Sequence, residues 1–196
     1  MPNKPINCKI KIKKKIDHEL KNLVDEYCST WGESYVIEDA WWGDQNMDWL
    51  DAVKRAWLSR LQNGKMHGHQ CRVSPKLVKG LSEALRDKKC PEDFTDFAEV
   101  YDWTQSVTHR VKGLGTMTAY DVARRLGAWL KISPSSVYLH SGTKIGANRL
   151  GIYGNVVALN QFPQEIQSLG STHAENFLCL YKESLYKTMN SMLDTY

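Results

Sequence analysis

Two glycines separated by one apolar residue, Gly113-Leu114-Gly115, join two stretches with helical periodicity. Glycine adopts positive φ angles and carries no Cβ atom that would keep a ligand away from the backbone. The helix expected to begin at Thr116 starts with backbone N–H groups that have no acceptor in their own helix. Such donors bind phosphate oxygens without reading a base. Residues 111–119 are therefore predicted to form a phosphate-binding hairpin.

Basic residues dominate the chain around and after this hairpin. Residues 110–149 hold seven Lys or Arg residues and a single acid, Asp121, which is the charge balance of a surface that attracts a polyanion. A solvated helix face has the same balance and is the alternative. The predicted DNA-contacting residues are Lys112, Gly113, Leu114, Gly115, Thr116, Thr118, Arg124, Arg125, Lys144 and Arg149.

The residue types over 111–119 follow the order apolar, any residue, Gly, apolar, Gly, two residues, then Thr-Ala. This order resembles the hairpin of the helix-hairpin-helix DNA-binding proteins. The resemblance implies binding to duplex DNA through its phosphates, without strong sequence readout. A helical hairpin that serves only packing is the alternative.

A wider and weaker resemblance covers residues 90–151 and points to the helix-hairpin-helix base-excision DNA glycosylases of the endonuclease III type. Residues 136–151, SVYLHSGTKIGANRLG, are similar to the apolar lead-in and the helix that follow the hairpin in that family. No Asp or Glu occurs between Asp121 and Glu165, so the family's catalytic aspartate has no counterpart, and Met117 lies where some members carry a lysine nucleophile. The resemblance implies a glycosylase-like scaffold and a role in DNA repair, but it carries no catalytic residue over.

A divergent glycosylase that excises a modified or damaged base is the second hypothesis. Its candidate catalytic residues are Asp121 and His140, because cleavage of a glycosidic bond needs a carboxylate or a general base close to the sugar. For Asp121 the competing interpretation is an ion pair with Arg124 or Arg125 on the same helix.

His67, His69 and Gln70 lie close together in a predicted loop, where their side chains are candidates for hydrogen bonds to a base. Two histidines at positions i and i+2 also suit a metal ion in an extended segment. No third ligand with suitable spacing is evident, so neither a metal nor a cofactor is predicted.

Acids and tryptophans concentrate in residues 31–51, which contain six acids, four tryptophans and no Lys or Arg. Carboxylates repel a phosphate backbone, so core packing or a protein partner is expected here. A protein-interaction module built on this region is the third hypothesis. In contrast, residues 1–15 hold six lysines and no acid, and this basic arm is expected to add to the attraction for DNA.

The chain has 196 residues, of which 42% are hydrophobic and 24% are charged, as in globular proteins. Its apolar runs are far shorter than the roughly 20 residues of a membrane-spanning helix, and its first residues lack the pattern of a secretory signal. An intracellular location, cytoplasmic or nuclear, and no membrane partner are expected. The five cysteines form no CxxC pair and are expected to be free, mostly buried thiols.

Hydrophobic periodicity predicts an all-α fold, a compact bundle of seven to nine helices that contains the hairpin. In residues 9–16, lysine and isoleucine alternate before a run of three lysines, which indicates an edge strand or an extended arm. The predicted domains are a basic arm, 1–16, and a single helical domain, 17–196. Three smaller expectations are a short helix from Ser133, an extended crossing segment over 151–162 and a final helix from a Thr172–Glu175 capping box to about residue 193.

Overall fold

The structure, a computed structural model, describes residues 5–190, except for the side chains of residues 5–14 and of His69. The chain divides into two compact units. The terminal unit consists of the residues up to Gly32 and from Ser135 onward, and the hairpin unit consists of residues 33–134. The described residues form nine α-helices, three short 3-10 helices and one two-stranded sheet, so the prediction of an all-α fold is confirmed.

The hairpin unit contains the end of α1 (Pro5–Trp42), α2 (Trp49–Leu58), α3 (Ser74–Arg86), α4 (Phe97–His109) and α5 (Thr116–Leu130). Asp48 and Asp96 cap α2 and α4 by accepting hydrogen bonds from the N–H groups of Asp51 and Glu99. The core side chains of this unit include Trp57, Leu77, Val100, Val107 and Leu126. This core fixes α4 and α5, and therefore the hairpin between them.

The terminal unit contains the beginning of α1, β1 (Ser136–Tyr138), α6 (Ser141–Arg149), β2 (Val156–Ala158), α7 (Gln164–Gln167), α8 (Gly170–Leu180) and α9 (Lys182–Asn190). β1 and β2 pair antiparallel, with Val137 opposite Val157. α6 and α8 approach closely at Gly146, where a Cβ atom would collide with the carbonyl oxygen of Leu178. The core side chains include Tyr27, Ile166, Phe177, Leu178 and Leu185.

Several local expectations are wrong. Residues 9–16 belong to α1 and not to a strand, because no glycine or proline separates them from the helical pattern that follows and lysine is a good helix former. No helix starts at Ser133. Val137 and Tyr138, both residue types that favour strands, belong to β1, which pairs with β2 inside the segment expected to be only extended. The helix expected from Thr172 is interrupted at Tyr181, between α8 and α9.

Cys28, Cys71, Cys90 and Cys179 are free thiols, as predicted, but the first three are exposed, contrary to the expectation of burial. Cys8 lies outside the described side chains. Across residues 5–190, no helix combines the length and the apolar composition that a membrane-spanning segment needs.

Candidate nucleic-acid interface

The hairpin consists of two successive tight turns between α4 and α5. The N–H of Val111 donates to the carbonyl of Thr108 at 3.1 Å, and the N–H of Leu114 donates to the carbonyl of Val111 at 3.1 Å. Gly113 has a φ of +89°, which favours glycine. Gly115 has a φ of −138° and is therefore extended, so the expectation of positive φ is right for Gly113 and wrong for Gly115.

The start of α5 presents backbone donors to open space. Gly115 is the N-cap residue, and no side chain caps the helix there. The first helical hydrogen bond runs from the N–H of Ala119 to the carbonyl of Gly115, so the N–H groups of the three residues between them precede the helical ladder. Gly115 and Thr116 are exposed, and a Cβ atom built on Gly115 would meet no atom within 4 Å. A phosphate can therefore approach these donors without steric hindrance.

Two of the predicted contact residues in the hairpin point elsewhere. Thr118 is only 4% exposed, so its side chain packs inside the unit and does not face a ligand. Leu114 is half-buried and packs toward α3, since a Cβ atom on Gly80 would lie 3.2 Å from its Cδ1 atom. Leu114 therefore anchors the turn, and the remaining hairpin residues stay on the surface.

A lysine outside the predicted set of DNA-contacting residues lies against the hairpin. The ammonium group of Lys76, in the first turn of α3, occupies the space where a Cβ atom of Gly113 would stand. Lys76 is exposed, and so are Lys112 in the hairpin and Lys79 one turn further along α3. The positive charge beside the hairpin thus comes in part from α3.

A charge pattern in the sequence points to this contribution of α3. Residues 52–82 contain seven Lys or Arg residues and no acid, a bias as strong as that of the stretch after the hairpin. Periodicity places this stretch on two helices but does not show which side chains reach the hairpin. That information comes only from the packing of α3 against α4 and α5.

Arg124 and Arg125, predicted to contact phosphates, have internal partners instead. The Arg125 side chain is 5% exposed, donates a hydrogen bond to the Ala56 carbonyl at 3.0 Å and lies 4.8 Å from the Trp42 ring centre. Burial lowers the pKa of Arg125. Arg124 donates to an Asp39 carboxylate oxygen at 2.9 Å and is 16% exposed. The prediction fails for both, because α5 turns this face toward the core.

Gln70 Nε2 donates to Asp121 Oδ2 at 2.5 Å, and the charge of Asp121 also acts on buried Arg125, whose pKa it raises against the effect of burial. Gln70 is fully buried, which contradicts its predicted role as a base contact. His67 is half-buried, with its Nε2 atom 3.7 Å from Glu38 Oε1. The side chain of His69 lies outside the described residues.

His140 belongs to the terminal unit, whereas Asp121 belongs to the hairpin unit. His140 Nε2 lies 3.3 Å from Glu175 Oε1, and Thr143 Oγ1 donates to the same carboxylate oxygen at 2.5 Å. His140 is 8% exposed and Glu175 is 5% exposed. The sequence predicted that Glu175 belongs to a helix cap. In the structure it instead joins α8 to the start of α6.

Lys144 and Arg149 also belong to the terminal unit and not to the unit that carries the hairpin. Lys144 Nζ donates to the Asn155 side-chain oxygen at 2.8 Å, and the Arg149 guanidinium lies 4.2 Å from the centre of the Tyr186 ring. Both have partners in their own unit. In the hairpin unit, the predicted residues that remain at the surface are Lys112, Gly113, Gly115 and Thr116.

The two hairpin glycines are expected to respond differently to substitution. Gly113→Ala should lower the free energy of unfolding by about 1–2 kcal/mol, because a Cβ atom disfavours positive φ. Gly115→Asp should leave it unchanged or raise it by a few tenths of a kcal/mol, since aspartate is at least as good an N-cap as glycine and its Cβ atom meets open space. Urea unfolding of both variants measures the difference; an equal loss in both would contradict this assignment of the backbone.

No protein-family model, curated protein or solved structure matches this chain.

Proposed function

We propose that the protein binds duplex DNA through the phosphates that reach the hairpin at residues 111–119. The observation that carries this proposal is the open, uncapped start of α5 at Gly115, with the Lys76 ammonium group beside it over Gly113. Backbone donors and a flexible lysine both recognise phosphate, and neither reads a base. The proposed contacts therefore fix the position of the protein on the DNA backbone but give little preference for a base sequence.

The charge of the surrounding surface supports the same ligand. Lys76, Lys79 and Lys112 are exposed cations of the hairpin unit, and Arg72 precedes them in the turn that leads into α3. Each lysine or arginine that neutralises a phosphate releases condensed counterions, which drives association. A protein that packs with this hairpin would not need such a concentration of cations.

Salt dependence tests whether these lysines contact phosphates. The logarithm of the association constant should fall linearly with the logarithm of the salt concentration, with a slope of about −0.9 for each phosphate contact. Lys76→Gln should make the slope shallower by about one contact. Lys54→Gln is the matched control, because Lys54 is a lysine of the same unit whose side chain is 43% exposed and pairs with Asp51 on α2. Equal slopes for wild type and Lys76→Gln would remove Lys76 from the interface.

The glycosylase hypothesis leads to a separate expectation. Asp121, the carboxylate that it requires, accepts a hydrogen bond from buried Gln70, and His140 is 8% exposed beside Glu175. We expect little or no release of uracil, oxidised purines or alkylated bases from duplexes treated with the protein and then with alkali. Multiple-turnover release that Asp121→Asn abolishes, with DNA binding retained, would instead make the enzyme the better proposal.

A further inference from the structure

A surface cleft of about 420 Å³ lies in the hairpin unit between the end of α1 and the turn after α2. Its apolar lining residues are Ile37, Trp41 and Leu61, and its polar lining residues are Ser34, Glu38, Gln62 and Asn63. Sites for small molecules usually have volumes of about 300–1,000 Å³ and combine apolar walls with a few polar groups. The cleft has both properties, and its lining residues lie outside the hairpin.

The Trp41 ring is fixed in the wall of the cleft. Its indole N–H donates to the Arg60 carbonyl at 2.9 Å, and the Arg55 guanidinium lies 3.7 Å from the ring centre. Arg55 also donates to the Trp41 carbonyl at 2.8 Å and lies 3.6 Å from an Asp44 carboxylate oxygen. Because Arg55 does not line the cleft, it covers a part of the indole other than the part that a ligand would meet. This aromatic surface needs no ordering when a ligand binds.

The opposite wall is a closed turn. The N–H of Gly64 donates to the Leu61 carbonyl at 2.9 Å, and the N–H of Leu61 donates to the Lys65 carbonyl at 2.9 Å. The side-chain oxygen of Asn63 accepts a hydrogen bond from the N–H of Lys65 at 3.0 Å, which fixes its amide at the rim. Both walls of the cleft are therefore held by hydrogen bonds within the hairpin unit.

Glu38 is the one ionisable residue among those that line the cleft, and its side chain is 25% exposed. The charged groups with which it interacts do not neutralise it. Arg124 pairs with an Asp39 carboxylate oxygen at 2.9 Å, and Arg125 interacts with Asp121. Glu38 interacts electrostatically with both arginines. Three carboxylates therefore face two guanidinium groups, and this set has a net charge of −1.

The remaining neighbours do not reverse this charge. His67 Nε2 lies 3.7 Å from Glu38 Oε1, but an imidazole is mostly uncharged above pH 7. Arg60 and Lys65, the exposed cations of the turn, are not among the lining residues. Glu33 is exposed on α1, one turn before Ile37, and adds negative charge. The cleft therefore combines an apolar wall with an excess of negative charge.

We propose that the cleft binds a small organic cation, an amine with an apolar ring or chain. The apolar part of the ligand packs against Trp41 and Leu61, and its ammonium group lies at the Glu38 carboxylate. Such a ligand is complementary to the cleft in both polarity and charge. Its binding is independent of the proposed contact with DNA, because a carboxylate repels phosphate.

Titration of the full chain at pH 8 with three probes of nearly the same shape tests this proposal. Benzylamine is a cation, benzyl alcohol is neutral and benzoate is an anion. Binding is followed by the indole N–H signal of Trp41 in ¹⁵N-correlated NMR spectra, which Trp41→Phe identifies. Benzylamine should bind about fivefold or more tightly than benzyl alcohol, as expected for one ion pair at a partly exposed site. Benzoate should not move the signal at about 10 mM.

Two variants separate the charge of the cleft from its shape. With Glu38→Gln, benzylamine should bind within about twofold of benzyl alcohol, whereas Glu92→Gln, at an exposed acid outside the cleft, should keep the preference for the amine. Ile37→Ala should weaken the amine and the alcohol by the same factor, about two- to threefold, because it removes apolar contact only. Ile37 is 55% exposed, so this variant is expected to fold as wild type does.

Three results would overturn the proposal. The first is a Trp41 signal that stays in place with benzylamine at about 10 mM. The second is equal affinity of wild type for the amine and the alcohol, which would leave an apolar cleft with no preference for a cation. The third is a preference for the amine that Glu38→Gln retains, because the cation would then lie at another group.

Discussion

Gly115→Asp is expected to weaken duplex binding by about 2–3 kcal/mol, or about 30- to 150-fold, while the protein stays as stable as wild type. The new carboxylate accepts a hydrogen bond from the first turn of α5, where it takes the place of a phosphate oxygen, and its charge repels the backbone of the DNA. Fluorescence anisotropy with a labelled duplex of about 20 base pairs measures the affinity.

Gly115→Asn separates the two causes of this loss. Asparagine caps a helix as well as aspartate does, but it carries no charge. The variant should therefore lose only the part of the affinity that comes from competition for the N–H groups, about tenfold. If Gly115→Asp binds DNA as tightly as wild type and melts at the same temperature, phosphate does not bind at the start of α5.

Glu175→Ala should produce the largest loss of stability, about 3 kcal/mol or more in the terminal unit. The substitution removes the carboxylate oxygen that both the His140 ring and the Thr143 hydroxyl contact, and loss of a hydrogen-bond partner costs a buried polar group about 1–3 kcal/mol. Hydrogen exchange of the α6 and α8 amides should accelerate by roughly 150-fold or more, because these helices are joined through this carboxylate.

Glu175→Gln is the matched control for charge. The amide oxygen can still accept the hydrogen bond of the Thr143 hydroxyl, so we expect a loss of only about 1 kcal/mol. If Glu175→Ala changes exchange in α6 and α8 no more than a surface substitution does, the contacts among His140, Thr143 and Glu175 contribute nothing to the stability of this unit.

The helices of the hairpin unit follow closely from the sequence. Apolar periodicity and the glycines of the turn are local signals, and they predict an all-α fold and the position of the hairpin. The backbone of Gly115 is different, because a glycine at an N-cap can be extended or left-handed, and the sequence does not distinguish the two. The core around Leu114 decides the course of the turn.

Side-chain partners across the chain were not predictable in the same way. From their residue type, Arg124 and Arg125 are expected at the surface. The orientation of α5 instead places Arg124 against the Asp39 carboxylate and Arg125 against the Ala56 carbonyl. Glu175 shows the same limit, because its spacing from Thr172 matches a capping box while its actual partners lie on α6. For Lys76 the sequence fails in the opposite direction. Nothing in it distinguishes Lys76 from other surface lysines, and only the packing of α3 places its ammonium group beside Gly113.

The most direct test of DNA binding by the hairpin is the change in backbone amide signals in ¹⁵N-correlated NMR spectra as an unlabelled duplex of about 16 base pairs is added. The amide signals of Gly113, Gly115, Thr116 and Met117 should move most, and the amide of buried Arg125 should move little. Increasing salt should reverse the changes. Hairpin signals that stay in place while the duplex binds would contradict DNA binding by the hairpin, and so would the largest changes on the acidic stretch 31–51.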